Sequence, residues 1–248
     1  MKNYRIIFVF ILVVLMSPSS ALAVNKISVA VAANFISAFN DLAADFEAKT
    51  KVKVEGTFSS TGNLYTQITN GAPYDLFLSA DEERPARLYK DGVAEKPFVY
   101  ASGHVILWSD HKDFCRVAAW QEALKNDNVK KIAIANPLTA PYGAASKDAL
   151  QKTKLWKALQ TKLVNAQDIA QSFQYASTAA VDACFCALSV TATPKGQSGC
   201  FFNITQAPDI IQSACVLKRT ANRVAVKQFA AFLVSPAAQK IKIKYGYR

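Results

Sequence analysis

The stretch KISVAVAANFISAFNDLAADFEAKT, Lys26 to Thr50, changes its apolar rhythm at Asn34. Val29 to Ala33 are all apolar, the pattern of a strand buried on both faces. Beyond Asn34, residues Phe35, Phe39, Leu42, Ala43 and Phe46 fall on one face of a helix. The hand-over repeats. Lys51 to Phe58, with Val52, Val54 and Phe58 alternating, leads into the short helical run NLYTQITNGAP, stopped by Gly71 and Pro73. The strand YDLFLSAD then runs into SADEERPARLYKDG, where Ser79 and Glu82 have capping-box spacing and Gly92 supplies the stop. Strand and helix alternating in this way imply an α/β chain with a parallel sheet covered by helices on both faces. Such a sheet binds ligands at the carboxyl ends of its strands.

A second α/β unit follows. HVILWSD reads as a strand, VAAWQEALKN as a helix, KIAIANP as a strand, GAASKDALQKTKLWKALQ as one helix and VDACFCALSV as an apolar strand. The chain closes with the strand SACVLKRT and with RVAVKQFAAFLVSPAAQKIKIKYGY, two helices separated by a Ser-Pro break. This order predicts two α/β lobes joined by two crossings, with a cleft between them. The expected division is residues 24–101 plus 205–248 in one lobe and 102–204 in the other. The crossings are expected near Tyr100 to Ser102 and near Phe202 to Gln212.

The first 23 residues, MKNYRIIFVFILVVLMSPSSALA, read as a secretory signal peptide. Lys2 and Arg5 precede an apolar run from Ile6 to Met16, and small residues occupy positions 21 and 23. The apolar run is shorter than the roughly 20 residues that a membrane span needs. Export through a cleaved leader predicts a periplasmic protein. Loss of Lys2 and Arg5 lowers the formal charge from +11 to +9, still basic. The Lys and Arg are dispersed rather than gathered into a stripe, which argues for anion attraction or solubility rather than nucleic acid.

Five cysteines remain after the leader: Cys115, Cys184, Cys186, Cys200 and Cys215. An oxidising compartment permits at most two bridges among them. Cys184 and Cys186 would share one face of a strand, and a Cys-x-Cys pair suits a soft metal. Neither His nor Met accompanies it, because His104 and His111 lie far upstream. Packing cysteines, with one of the pair bridged to Cys200, is the expected arrangement.

Signatures of catalysis are sparse. No G-x-S-x-G, H-E-x-x-H or Walker loop occurs, so no enzyme activity and no cofactor are expected. Chemistry concentrates instead at four strand-to-helix junctions. A helix N-terminus carries unpaired amides and roughly half a positive charge, so it holds an anion without a cationic side chain. Candidate donors are Asn34 at the first junction, Ser60, Thr61 and Gly62 at the second, Tyr142 and Gly143 at the third, and Asp168 and Ile169 at the fourth. Gly62 would let backbone approach a ligand closely. Asn34, Thr61 and Asp168 are equally good N-caps, and Tyr142 after Pro141 is equally a turn aromatic.

The segments VAVAANF, FSSTGNLYTQITNGAPYDLFLSADE, ANPLTAPYGAAS, DIAQSFQYASTAAVDACFCALS and SPAAQKIKIKYGY, in this order and spacing, resemble the periplasmic molybdate-binding proteins of ABC importers. The resemblance runs from about Lys26 to the C-terminus, and NGAPYDLFLSADE is its most specific part. It implies a type II periplasmic-binding-protein fold that closes on molybdate or tungstate, with an ABC permease as partner and the protein itself a monomer. The oxyanion-binding positions it implies are Ala33, Asn34, Ser60, Thr61, Tyr142 and Ile169, with no metal directly ligated. Some relatives place a tyrosine in the segment matching CFCALS, where this chain has Ala187. Others carry one at the Tyr142 position. Three alternatives remain open: a receptor for sulfate or another tetrahedral oxyanion, an exported cysteine-based redox or metal-handling protein, and a hydrolase using a serine of FSSTGN.

Overall fold

The computed structural model describes residues 26–248, so the expected signal peptide, residues 1–23, lies outside the described residues. The first unit runs β1 (Lys26–Ala32), α1 (Ile36–Thr50), β2 (Lys53–Ser59), α2 (Thr61–Thr69), β3 (Leu76–Leu78), α3 (Glu83–Lys90) and β4 (Phe98–Gly103). The second runs β5 (Val105–Ser109), α4 (Trp120–Lys125), β6 (Ile132–Ala135), α5 (Pro141–Lys152), α6 (Trp156–Leu159), β7 (Leu163–Ala166), α7 (Ile169–Ser177), β8 (Ala183–Ala187), α8 (Pro194–Ser198) and β9 (Cys200–Asn203). The chain ends with β10 (Ile210–Val216), α9 (Arg223–Leu233) and α10 (Pro236–Lys244).

The strands form two five-stranded sheets, ordered β2-β1-β3-β10-β4 and β7-β6-β8-β5-β9. β1 is parallel to β2 and β3, while β10 runs antiparallel to β3 and β4. In the second sheet β6 is parallel to β7 and β8, and β5 is antiparallel to β8 and β9. The chain leaves the first sheet after Gly103 and returns to it at Ile210. It therefore passes between the sheets twice, at His104 and over 204–209.

The apolar face of α1 supplies Phe39, Leu42 and Phe46 to a core shared with β1, β2, α9 and α10, where Phe46 meets Phe229 edge-on with ring centroids 5.0 Å apart. A second core joins the two sheets: Ala32, Ala33 and Ala80 are buried together with Ala135, Tyr142 and Ile169. Small residues at the strand ends let the two sheets' edges approach one another, and the functional geometry lies along that seam.

Four local expectations are corrected. The helix expected from Gly143 to Gln160 is broken after Lys152, because Lys154 takes the left-handed conformation (φ 60°) that ends a helix. Strands β4 and β9 are not among those expected. The Ser79–Glu82 capping box is not formed. Instead, Asp81 accepts from the amide of Arg84 at 3.0 Å and from the Ser79 hydroxyl. The disulfide is Cys115–Cys200, with Cα atoms 6.1 Å apart, and Cys184, Cys186 and Cys215 are buried free thiols. Sheet order explains the last difference. Cys184 pairs with Trp108 of β5, and Cys200 lies across the other side of that strand, opposite Ser109. Two strand spacings amount to about 9–10 Å, beyond the roughly 7 Å that a bridge spans.

Candidate functional site

The carboxyl ends of β1, β2, β6 and β7 face one another across the seam. The residues just beyond them line one small cavity of about 10 Å³. All six residues singled out in the sequence line it: Ala33, Asn34, Ser60, Thr61, Tyr142 and Ile169. None is more than 6% exposed. Among the described residues, no Lys, Arg or His contributes to the lining.

Helix capping decides which donors remain for a ligand. Ser60 caps α2, its Oγ accepting from the Asn63 amide at 3.4 Å, and the Gly62 amide donates to Thr139 O at 2.8 Å. The amide of Thr61 is left over. Ser60, rather than Thr61, is therefore the cap. The Thr61 hydroxyl oxygen accepts from the Ala80 amide at 3.0 Å, which leaves its proton to be donated elsewhere. At α5, Pro141 occupies the first position without an N–H, and the next amides belong to Tyr142 and Gly143. At α7, Asp168 caps by accepting from the Gln171 amide at 2.9 Å, leaving the amides of Ile169 and Ala170. The first-turn amides of Thr61, Tyr142, Gly143 and Ile169 have no protein acceptor among the described residues, as the opening of a helix dictates. Gly62 differs from expectation, because its close backbone approach is to Thr139 across the seam: a Cβ there would sit 2.9 Å from Thr139 O.

Asn34 also differs. Its side-chain amide is committed within the protein, donating to Gln212 Oε1 at 2.8 Å and Tyr247 Oη at 3.1 Å, with Tyr142 Oη at 3.4 Å. Its carbonyl accepts from Tyr247 Oη at 2.6 Å and from Ser189 Oγ at 2.9 Å. Asn34 thus faces the cavity from the turn that follows β1 while its side chain anchors that turn. Gln212, Tyr247 and Tyr100 were not identified from the sequence. The one signal for Gln212 is a lone amide in the otherwise apolar strand start IIQSACV.

Burial is the main cause that raises the hydroxyl pKa of Tyr142 and Tyr100 well above the usual phenol range, and it pushes Tyr247 up to about 12. All three remain protonated hydrogen-bond donors at any physiological pH. Ala187 lies outside this cavity and lines a neighbouring one with Ala33, Ile169 and Ser189. Cys184 and Cys186 pack in the core against Trp108 and Ile106, away from both. Among the described residues, no group of three or more His, Cys, Asp or Glu is arranged to hold a metal ion.

The whole described chain is similar to known proteins. The family model "Bacterial extracellular solute-binding protein" matches residues 27–248. The chain is 38% identical over 227 residues to the molybdate-binding protein ModA of Rhodobacter capsulatus, covering 91% of this chain and 89% of the relative. It is likewise 38% identical to ModA of Azotobacter vinelandii, over 90% of this chain and 89% of the relative. The solved periplasmic molybdate-binding protein of Azotobacter vinelandii matches the fold with a TM-score of 0.83 at 32% identity, covering 90% of this chain and 98% of that one.

Proposed function

The chain belongs to the bacterial extracellular solute-binding proteins, and from that premise we propose that it captures molybdate or tungstate in the periplasm and delivers it to an ABC permease. The observation that carries the reading is the convergence of uncapped first-turn amides from α2, α5 and α7 on one buried cavity without a cationic lining. Three helix N-termini aimed at one point stabilise an anion by their dipoles and their unpaired N–H groups. Ala33, Asn34, Ser60, Thr61, Tyr142 and Ile169 form the oxyanion site. The anion is cargo, held through its oxygens, so no side chain ligates the metal.

Selectivity follows from hydrogen-bond polarity. Molybdate near neutral pH is a tetrahedral dianion that accepts hydrogen bonds and offers none. Hydrogen phosphate brings a proton that the N–H and O–H donors of the cavity leave unpaired, at a cost of about 1 to 3 kcal/mol. Among the described residues the lining holds one carboxylate, Asp168, whose Oδ1 is engaged as the cap of α7. Sulfate has the same polarity as molybdate, and cavity size discriminates against it.

The lobes are built on the two sheets, residues 26–103 plus 210–248 and residues 105–203, and the ligand lies between them. Closure buries the anion and forms the surface that the permease reads. The protein acts as a monomeric receptor rather than an enzyme, binds no nucleic acid, and reaches the periplasm by cleavage after Ala23. Native mass spectrometry with equimolar molybdate, tungstate, sulfate and phosphate tests the reading. One molybdate or tungstate per chain is expected; a dominant sulfate or phosphate adduct, or none, overturns it.

A further inference from the structure

Behind the cavity lies a buried polar cluster of Asn34 after β1, Tyr100 on β4, Tyr142 in α5, Gln212 on β10 and Tyr247 after α10, none more than 6% exposed. Its protons can be accounted for one by one. Tyr247 Oη donates to Asn34 O at 2.6 Å. Tyr100 Oη has Ser79 O at 3.2 Å and Gln212 Oε1 at 3.1 Å as acceptors. Asn34 has two amide protons, and its two nearest acceptors are Gln212 Oε1 at 2.8 Å and Tyr247 Oη at 3.1 Å. Gln212 Oε1 therefore accepts from Asn34 and shares the single Tyr100 proton with Ser79 O, an arrangement that places Nε2 toward Tyr142 Oη, 3.4 Å away.

The consequence falls on Tyr142. Its oxygen meets N–H donors on the inner side, from Gln212 Nε2 and from Asn34 Nδ2, both at 3.4 Å, and the two Asn34 protons already have nearer acceptors. The remaining neighbour, Tyr247 Oη, donates to Asn34 O and accepts from Asn34 Nδ2, and its second lone pair is open to the Tyr142 hydroxyl. Gly103 makes the approach possible, because a Cβ there would stand 2.1 Å from Tyr142 Oη and 2.9 Å from Gln212 Nε2. The single proton of Tyr142 therefore has two destinations, the open lone pair of Tyr247 Oη and the cavity that the residue lines, and a bound dianion, the stronger acceptor, draws it forward while the Gln212 N–H occupies the oxygen from behind.

We propose that Gln212 is a specificity-determining positioning residue, which through its oriented amide holds the Tyr142 hydroxyl as a donor toward the bound oxyanion and so excludes anions that carry a proton. This rests on Tyr142 belonging to the oxyanion site. Without the Gln212 N–H, the hydroxyl turns its proton inward and presents a lone pair to the cavity, where a protonated oxyanion finds its acceptor.

The test is a double-mutant cycle of Gln212→Met with Tyr142→Phe, read by calorimetric titration with molybdate and by competition with hydrogen phosphate and hydrogen arsenate. In the Tyr142 background, Gln212→Met is expected to weaken molybdate binding by about tenfold, the scale of one hydrogen bond to a charged group, and to shift selectivity toward the protonated anions by a similar factor. In the Tyr142→Phe background it is expected to change neither by more than about twofold, within ordinary additivity. Equal losses in both backgrounds, or unchanged selectivity, overturn the role of Gln212 while leaving the site intact. If Tyr142→Phe alone leaves molybdate affinity unchanged, the site assignment itself falls, and this inference with it. Tyr100→Phe removes the other donor that orients the Gln212 amide. It is expected to move selectivity in the same direction, again only while Tyr142 is present, and it decides the matter if Gln212→Met fails to fold.

Discussion

The amide of Gly62, in the first turn of α2, donates to the carbonyl of Thr139 in the loop before α5, at 2.8 Å, so the two halves of the site are joined backbone to backbone. Any side chain at position 62 disturbs this contact, since a Cβ would lie 2.9 Å from Thr139 O and 3.0 Å from its Cα. Neither atom is the far end of a flexible side chain, so the halves themselves must move apart. Gly62→Ala is expected to weaken molybdate binding by about tenfold or more, equivalent to about 1.4 kcal/mol. The ligand-free protein should unfold at the same temperature or slightly higher, because Ala favours a helix over Gly by about 1 kcal/mol. Titration calorimetry and thermal unfolding together check this; an unchanged dissociation constant would show that closure does not depend on the contact.

Tyr142 places the only phenol of the cavity lining, and burial keeps it protonated. Replacing it by Phe removes one donor to a charged ligand while keeping the ring that packs against Ala135 and Ile169. The expected loss is about 1.5 to 3 kcal/mol of binding free energy, or roughly ten- to 150-fold in the dissociation constant. Calorimetry at fixed pH measures it. A variant that binds as tightly as the parent would remove Tyr142 from the oxyanion site.

Much of the fold is legible in the sequence because the apolar rhythm alone distinguishes β1, β2 and β6 from the helices that follow them. The junction residues at 34, 60–61, 142 and 169 could be found because each stands where a strand gives way to a helix, a position with local chemistry of its own. What could not be read was long-range. Gln212 looks like one polar residue in an apolar strand, and only the antiparallel insertion of β10 between β3 and β4 brings it behind Asn34. The cysteine pairing failed for the same reason: Cys184 and Cys200 are near in sequence but separated by β5, while Cys115, 85 residues from Cys200, is beside it. The role expected of Gly62 was close, in that backbone does approach it, but the partner is Thr139 and not a ligand.

The Cys115–Cys200 bridge ties the turn at Lys112–Cys115 to the start of the edge strand β9, and neither cysteine lines the cavity. Closing a loop of 85 residues constrains the unfolded chain by up to about 4 to 5 kcal/mol in the chain-entropy account, with measured effects more often about 2 to 5. The Cys115→Ser/Cys200→Ser double variant, or reduction of the parent, is expected to lower unfolding stability by that amount while changing molybdate affinity by less than about twofold, as expected for distant sites. A thiol reagent should find essentially no reactive group in the native protein and three after denaturation, corresponding to Cys184, Cys186 and Cys215. Rapid labelling of the native protein would contradict the burial of these thiols.

Alkaline pH attacks the buried donors from the other direction. Burial pushes the Cys215 thiol from 9.0 up to about 12 and the Tyr247 hydroxyl from 10.0 up to about 12. Tyr142 and Tyr100 shift the same way. Each group keeps its proton in the folded protein after the unfolded chain has released it, so the unfolded state is favoured as pH rises. The stability these protons confer is fully present below about pH 9 and is lost through the interval up to about 12, with each group contributing a slope of about 1.4 kcal/mol per pH unit where the two states differ by a whole proton. Buried Lys242 acts oppositely, since burial lowers its pKa and the unfolded chain holds the proton more tightly. Urea midpoints are expected to be level from about pH 7 to 8.5 and to fall above pH 9, where the first of these groups titrates in the unfolded chain. In a Cys215→Val variant the fall above pH 9 should be shallower but not absent, because burial raises the Cys186 thiol in the same way. A midpoint that stays level to pH 11 in the parent would mean that these groups are not shielded as the fold requires.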